Sequence, residues 1–144
     1  MKADATTETV VKATVDKVTE GYAKRDMSLL LSAFASDPDV VMYGTGADEK
    51  RVGLAEIQAQ AERDWSQTES AEVTYEWISV SSAGPVAWVA TDASFSLKAG
   101  GQEMTLPARI TFVLEKRGEQ WLIVQAHFSV PAAGQSEGES FPTE

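Results

Sequence analysis

Residues 119–130 read EQWLIVQAHFSV, meet Pro131 at once, and hold the chain's only histidine, His127. A β-branched and aromatic run closed by proline reads as the last strand of a sheet. One alternating set is Trp121, Ile123, Gln125, His127 and Ser129; the other is Leu122, Val124, Ala126, Phe128 and Val130. The second set is wholly apolar, while the first begins apolar and turns polar. A half-buried strand normally alternates apolar-in with polar-out. Two occupied faces predict two things to cover: a core or pocket on one side and another surface on the other.

Working back from that strand, the period of two continues. Residues 102–116 form a strand that turns at Arg117-Gly118, and residues 86–98 form one that turns at Gly100-Gly101, a strong two-residue hairpin signal. Before the turn at 81–85, Val73, Tyr75 and Trp77 alternate with Thr74, Glu76 and Ile78. Further upstream the period becomes helical. Val11, Val15, Val18 and Tyr22 make one stripe of a helix over 6–24, with Thr6 or Thr7 as its cap. Asp26 caps a shorter helix with Leu30, Leu31 and Phe34 inward, stopped by Asp37-Pro38. A strand over 39–43 follows. The loop GTGADEKRVG lacks the context of a phosphate cradle and reads as a solvated turn. Residues 54–63 give a third helix, with Trp65 just beyond it. The order is α-α-β-α-β-β-β-β, an α+β pattern. It makes one domain over 1–131, with an acidic, polar tail over 132–144 expected to be flexible.

At 144 residues the chain fits one domain with a sizeable core. A net charge of −10 disfavours nucleic-acid and anionic-membrane partners. The absence of cysteine excludes disulfides and thiol chemistry. No signal-peptide core and no run near the ~20 apolar residues of a membrane span is visible, so a cytoplasmic location is expected. One histidine and no cysteine leave no ligand cluster for a metal, and no cofactor is expected.

The order of elements, the segment LLSAFASDPDVVMYGTG, and the later ARITFVLEKRGEQWLIVQAHFSVP resemble the SnoaL-like branch of the nuclear transport factor 2-like superfamily over residues 5–131. The resemblance implies a cone: a strongly curved, mixed sheet wrapped around the N-terminal helices, with a pocket at the open end and a homodimer as the common assembly. Members include ketosteroid isomerase, polyketide cyclases, scytalone dehydratase and the association domain of calcium/calmodulin-dependent kinase, so membership alone does not give function. Ketosteroid isomerase carries its carboxylate base just after the first strand. This chain has Gly44 and Thr45 there, with Asp48 and Glu49 following in the loop.

Strand register supplies the candidate site. With Gly100-Gly101 at the turn, Asp92 faces Arg109, Trp88 faces Val113 and Ala90 faces Thr111. A three-residue loop ending at Gly118 sets Glu115 opposite Glu119 and Arg109 opposite Gln125, with His127 diagonal to Arg109. A two-residue loop would reverse that parity. Asp92, Arg109, Gln125 and His127 then share a face as a pocket floor. Arg109 would bind a carboxylate or enolate, His127 would act as acid or base, and Asp92 would orient them or serve as base. Tyr43, Trp65, Trp77 and Trp88 would supply apolar walls. The kinase association domain resembles this chain in an arginine and a histidine near its pocket. A purely structural Asp92–Arg109 pair is the competing reading.

Two functions follow. One is a small-molecule pocket protein that binds, isomerises or cyclises an apolar compound bearing a carbonyl or carboxylate. The other is a non-catalytic association module whose apolar face, with Ile110, Phe112, Leu114, Val124 and Phe128, is covered by a second copy through the sheet. Reversing which face points inward would exchange the two roles.

Overall fold

The computed structural model describes residues 1–143. Helix α1 (Ala5–Lys24) begins one residue before the expected start because Asp4, not Thr6 or Thr7, is the cap: its carboxylate accepts from the Thr7 N–H at 2.8 Å. Val11, Val15 and Val18 are buried as the stripe predicts. Arg25, in the left-handed region at φ 56°, ends α1, and the Asp26 carboxylate accepts from Leu29 N to start α2 (Met27–Ser32). Strand β1 (Val41–Tyr43) follows. The loop read as a solvated turn contains a further short strand, β2 (Lys50–Val52), paired antiparallel with β1. Three residues, two of them charged, carry no periodic signal; the pairing is imposed by the turn closing on β1. Helix α3 (Leu54–Ser66) runs past the expected end and includes Trp65, whose indole N–H donates to the Tyr22 carbonyl at 3.1 Å.

Four long strands complete the chain: β3 (Ser70–Ala83), β4 (Val86–Ala99), β5 (Gln102–Arg117) and β6 (Gln120–Ser129). The sheet order is β2-β1-β6-β5-β4-β3, with β1 parallel to β6 and every other neighbour antiparallel. The architecture is the expected mixed sheet bearing helices on one face.

The β4–β5 register is as read: Asp92 opposite Arg109, Trp88 opposite Val113, Ala90 opposite Thr111. The β5–β6 register is not. Its turn has two residues, Gly118 and Glu119, since Arg117 pairs with Gln120. That reverses the parity, and Leu114 pairs with Ile123. Val124 is then an extra residue, because the next pair is Val113 with Gln125. This bulge restores the original parity, bringing Thr111 opposite His127 and Arg109 opposite Ser129. Trp121 and Ile123 before the bulge, and Ala126 beyond it, are buried toward the helices, although they belong to different alternating sets in the sequence. A second bulge sets both Glu76 and Trp77 between the pairs Tyr75–Ala93 and Ile78–Thr91. The two extra residues bend the sheet, since a bulge kinks its strand and increases local twist.

The β6 bulge lies where the strand changes partner. Ile123 exchanges backbone hydrogen bonds with Ala33 and Ala35, whereas Gln125 to His127 pair with β1. Opposite the sheet, Thr14 of α1 donates its hydroxyl to the Trp121 carbonyl at 2.8 Å. The core lies between α1 and the inner sheet face, where Val89, Ile110, Phe112, Leu114 and Ile123 are almost fully buried. The helices therefore cover the face that the sequence reading offered to a second copy. Covering the more apolar side removes the larger apolar area from water.

Candidate functional site

Where α1, α2 and α3 meet the concave side of the sheet, they leave a cavity of about 260 Å³. Its walls are largely apolar: Val18, Leu30, Phe34, Ile57, Tyr75, Phe95, Leu106 and Phe128. One corner is polar. Tyr22 enters from the last turn of α1, while Gln60 and Asp64, one turn apart on α3, face it. Glu49 comes from the turn before β2.

These groups form a closed set of hydrogen bonds. The Tyr22 hydroxyl donates to Asp64 Oδ2 at 2.8 Å. The Gln60 amide nitrogen donates to Asp64 Oδ1 at 2.7 Å and to Glu49 Oε1 at 2.7 Å. Gln60 Oε1 accepts from Arg51 Nε at 2.8 Å. The backbone N–H of Gly46 donates to Glu49 Oε2, and Arg63 approaches Glu49 Oε1 at 3.7 Å. Gln60 is only 4% exposed, and a buried amide must find partners for all its polar atoms. The Tyr22 phenol titrates far above its ordinary value, first because burial disfavours the phenolate and second because the Asp64 carboxylate lies beside it. It is therefore a neutral hydroxyl at physiological pH. Burial also pushes Tyr75 up; its hydroxyl donates to the Val15 carbonyl at 2.7 Å and fixes the cavity wall to α1.

The residues singled out in the sequence lie elsewhere. Asp92, Arg109, Gln125, His127 and Trp88 do share one face, but it is the outer face, away from the helices, and all five are exposed. The two register differences in β6 cancel in parity, which leaves the group together, whereas the inward side is the opposite of a pocket floor. Arg109 directs Nε to Ser129 Oγ at 3.2 Å rather than to the Asp92 carboxylate facing it in register. His127 stacks at a tilt on Tyr43, ring centroids 5.2 Å apart. Trp77 joins this face because of the β3 bulge and is 60% exposed. Trp65 is half-buried behind Tyr22, its ring 6.1 Å from the phenol. None of these eight side chains lines the cavity.

The sequence did hold a signal for the groups that do. Ile57, Gln60, Ala61 and Asp64 follow helical spacing on α3, so two polar residues sit in an apolar stripe. Tyr22 closes the stripe of α1. Polar groups on a buried stripe need a reason, and here they meet each other.

The family model described as a SnoaL-like domain matches residues 11–133. No curated protein matches the chain. Among solved structures, a nuclear transport factor 2-like superfamily protein from Salmonella enterica is 20% identical, with a TM-score of 0.80, over 94% of this chain and 99% of that one. A proposed calcium/calmodulin-dependent protein kinase II association domain from Xanthomonas campestris is 26% identical, with a TM-score of 0.72, over 83% and 84%. A hexachlorocyclohexane dehydrochlorinase is 13% identical, with a TM-score of 0.79, over 88% and 86%. Among the described residues no helix is long and apolar enough to cross a membrane.

Proposed function

Since the chain belongs to the SnoaL-like domain family, we propose that it takes a small, largely apolar molecule into the cavity under α1 and α3, with the ligand's polar end at Tyr22 and Asp64. The observation that carries this reading is the combination of a roofed apolar volume with a single hydrogen-bonded polar corner, the usual form of a small-molecule site. The expected carbonyl or carboxylate partner rested on Arg109 and His127, which lie on the outer face, so the chemical role passes to Tyr22 and Asp64. A bound molecule with an acidic proton would meet Asp64 as base, with the neutral Tyr22 hydroxyl beside it as hydrogen-bond partner. The same fold carries a dehydrochlorinase, which is consistent with proton-transfer chemistry in such a cavity.

Thermal shift with a panel of fused-ring and substituted aromatic compounds tests the reading. A compound present at a hundred times its Kd should stabilise the fold by about 2.7 kcal/mol. Ala61→Phe, which places a ring in the cavity, should abolish the shift. No shift with any compound, or one that persists in Ala61→Phe, would rule the cavity out as the site.

A second reading has its own observation. Trp77, Trp88 and Tyr43 are large side chains exposed together with His127 and Gln125 on the outer face. Aromatic anchors with a polar surround have the composition of an interface. A homodimer packed back to back through this face would cover them and leave the cavity free in each copy. Light scattering should then give twice the chain mass, and Trp88→Glu should return it to that of a single chain. A single-chain mass at high protein concentration would exclude this assembly.

A further inference from the structure

Resting on the cavity reading above, we propose that the ligand's polar end is a hydrogen-bond donor bearing positive charge: the cavity takes a hydrophobic amine in its ammonium form. The inference comes from which hydrogen-bonding capacity the polar corner leaves unused. A glutamine amide has two N–H groups, and Gln60 gives one to Glu49 and one to Asp64. A phenol has one O–H, and Tyr22 gives it to Asp64. Every side-chain donor of Tyr22 and Gln60 is thus engaged, while Thr45 and Gln67, which also line the cavity, are exposed residues. What remains is acceptor capacity: the lone pairs of the Tyr22 oxygen and the further lone pairs of the Asp64 and Glu49 carboxylates. A carbonyl or carboxylate ligand would bring more acceptors to a corner made of acceptors, and one of them would be buried without a partner, which is unfavourable. An ammonium brings donors.

Charge points the same way. The cavity is lined by Glu49, Asp64 and Glu72 and by no lysine, arginine or histidine. The nearby guanidinium groups already have partners, and none of them lines the cavity. Arg51 is bound to the Gln60 carbonyl, Arg63 to Asp48 at 2.8 Å with a longer approach to Glu49, and Arg25 to the carbonyls of Trp65 and Thr68. Among the described residues no basic group is bonded directly to Asp64, whose carboxylate lines the cavity. The apolar walls also suit a cation, because Tyr22, Tyr75 and Phe95 line the cavity and aromatic rings attract an ammonium. The chain's net charge of −10 raises the local concentration of cations at the mouth.

The test uses three molecules of one skeleton, 2-(naphthyl)ethylamine, the matching alcohol and the matching carboxylic acid, titrated calorimetrically into the full chain near neutral pH. The amine should bind about tenfold or more tighter than the alcohol, the difference expected when a hydrogen bond to a charged group replaces a neutral one, and the acid should bind weakest. The order should persist at high salt, where the long-range field of the chain is screened. Asp64→Asn should reduce the amine's affinity to that of the alcohol, whereas Glu119→Gln on the exposed hairpin should leave the order unchanged. Equal binding of amine and alcohol, or tightest binding by the acid, would overturn the donor inference and leave the cavity reading standing. Binding by none of the three overturns the inference as well, and the aromatic panel then decides whether the cavity binds anything. The comparison on the unaltered chain stands even if Asp64→Asn does not fold.

Discussion

Replacing Phe112 with alanine is expected to cost about 3–5 kcal/mol of stability, the range for removing a large buried aromatic ring. Phe112 is 1% exposed at the centre of the inner sheet face. Its ring lies edge-on to Tyr75 at 6.4 Å and to Phe128 at 6.0 Å, so three aromatic side chains interlock under α1. Total stabilities of domains run to roughly 5–15 kcal/mol, so this single truncation would remove a large share. Urea unfolding followed by tryptophan fluorescence would measure it, with Phe141→Ala as the control. Phe141 is 78% exposed, and its loss should be within about 0.5 kcal/mol. The measurement also decides which sheet face is inside. Had the face of Ile110, Phe112 and Leu114 been the open one, the ring would be solvated in a single chain and its removal would cost under about 1 kcal/mol.

Gly21→Val is the second large effect, about 2–3 kcal/mol of destabilisation through overpacking. Gly21 sits in the last full turn of α1, where α2 crosses it. A Cβ at this position would lie 2.6 Å from the Leu30 backbone nitrogen and 2.8 Å from its Cα. Those are main-chain atoms of a helix, and they cannot move aside as a flexible side chain would. Relief requires α2 to shift as a unit, and Leu30 with Phe34 would shift from the cavity wall with it. Glycine within a helix otherwise lowers its stability by roughly 0.5–1 kcal/mol relative to alanine, so an open site would gain from the substitution. A gain in the denaturant midpoint for Gly21→Val would therefore contradict the close approach of the two helices.

The sequence reading succeeded where the signal is local. The α1 stripe, the Asp26 cap and the Gly100-Gly101 turn each depend on a few neighbouring residues. In that turn both glycines have positive φ, 57° and 76°, as a tight hairpin of this twist requires. From it the whole β4–β5 register follows, because antiparallel pairing propagates from the turn. In β6 the same reasoning failed twice. The turn is one residue shorter than read, and Val124 is an extra residue that no pattern announces. The two differences compensate, so His127 and Arg109 share a face as expected, but for a different reason.

The bulge also explains why the last strand looked as if it had two useful faces. Without Val124, the series Trp121, Ile123, Ala126, Phe128 would alternate without interruption on one side, and Leu122, Gln125, His127, Ser129 on the other. The strand has two ordinary faces, shifted in phase by one residue at Val124. Val124 lies at the point where β6 leaves the Ala33–Ala35 segment and takes up β1 as its neighbour, a contact between residues some ninety positions apart in the chain.

The amino-acid order by itself determined every element but the short strand β2, the family and the pairing across the glycine hairpin, because periodicity and turn chemistry act over a few residues. Which side of the sheet meets the helices, and therefore which polar residues surround a cavity, was decided only in three dimensions. Inward and outward are set by the total apolar area that distant segments bury together, and one extra residue in a strand is enough to reverse them.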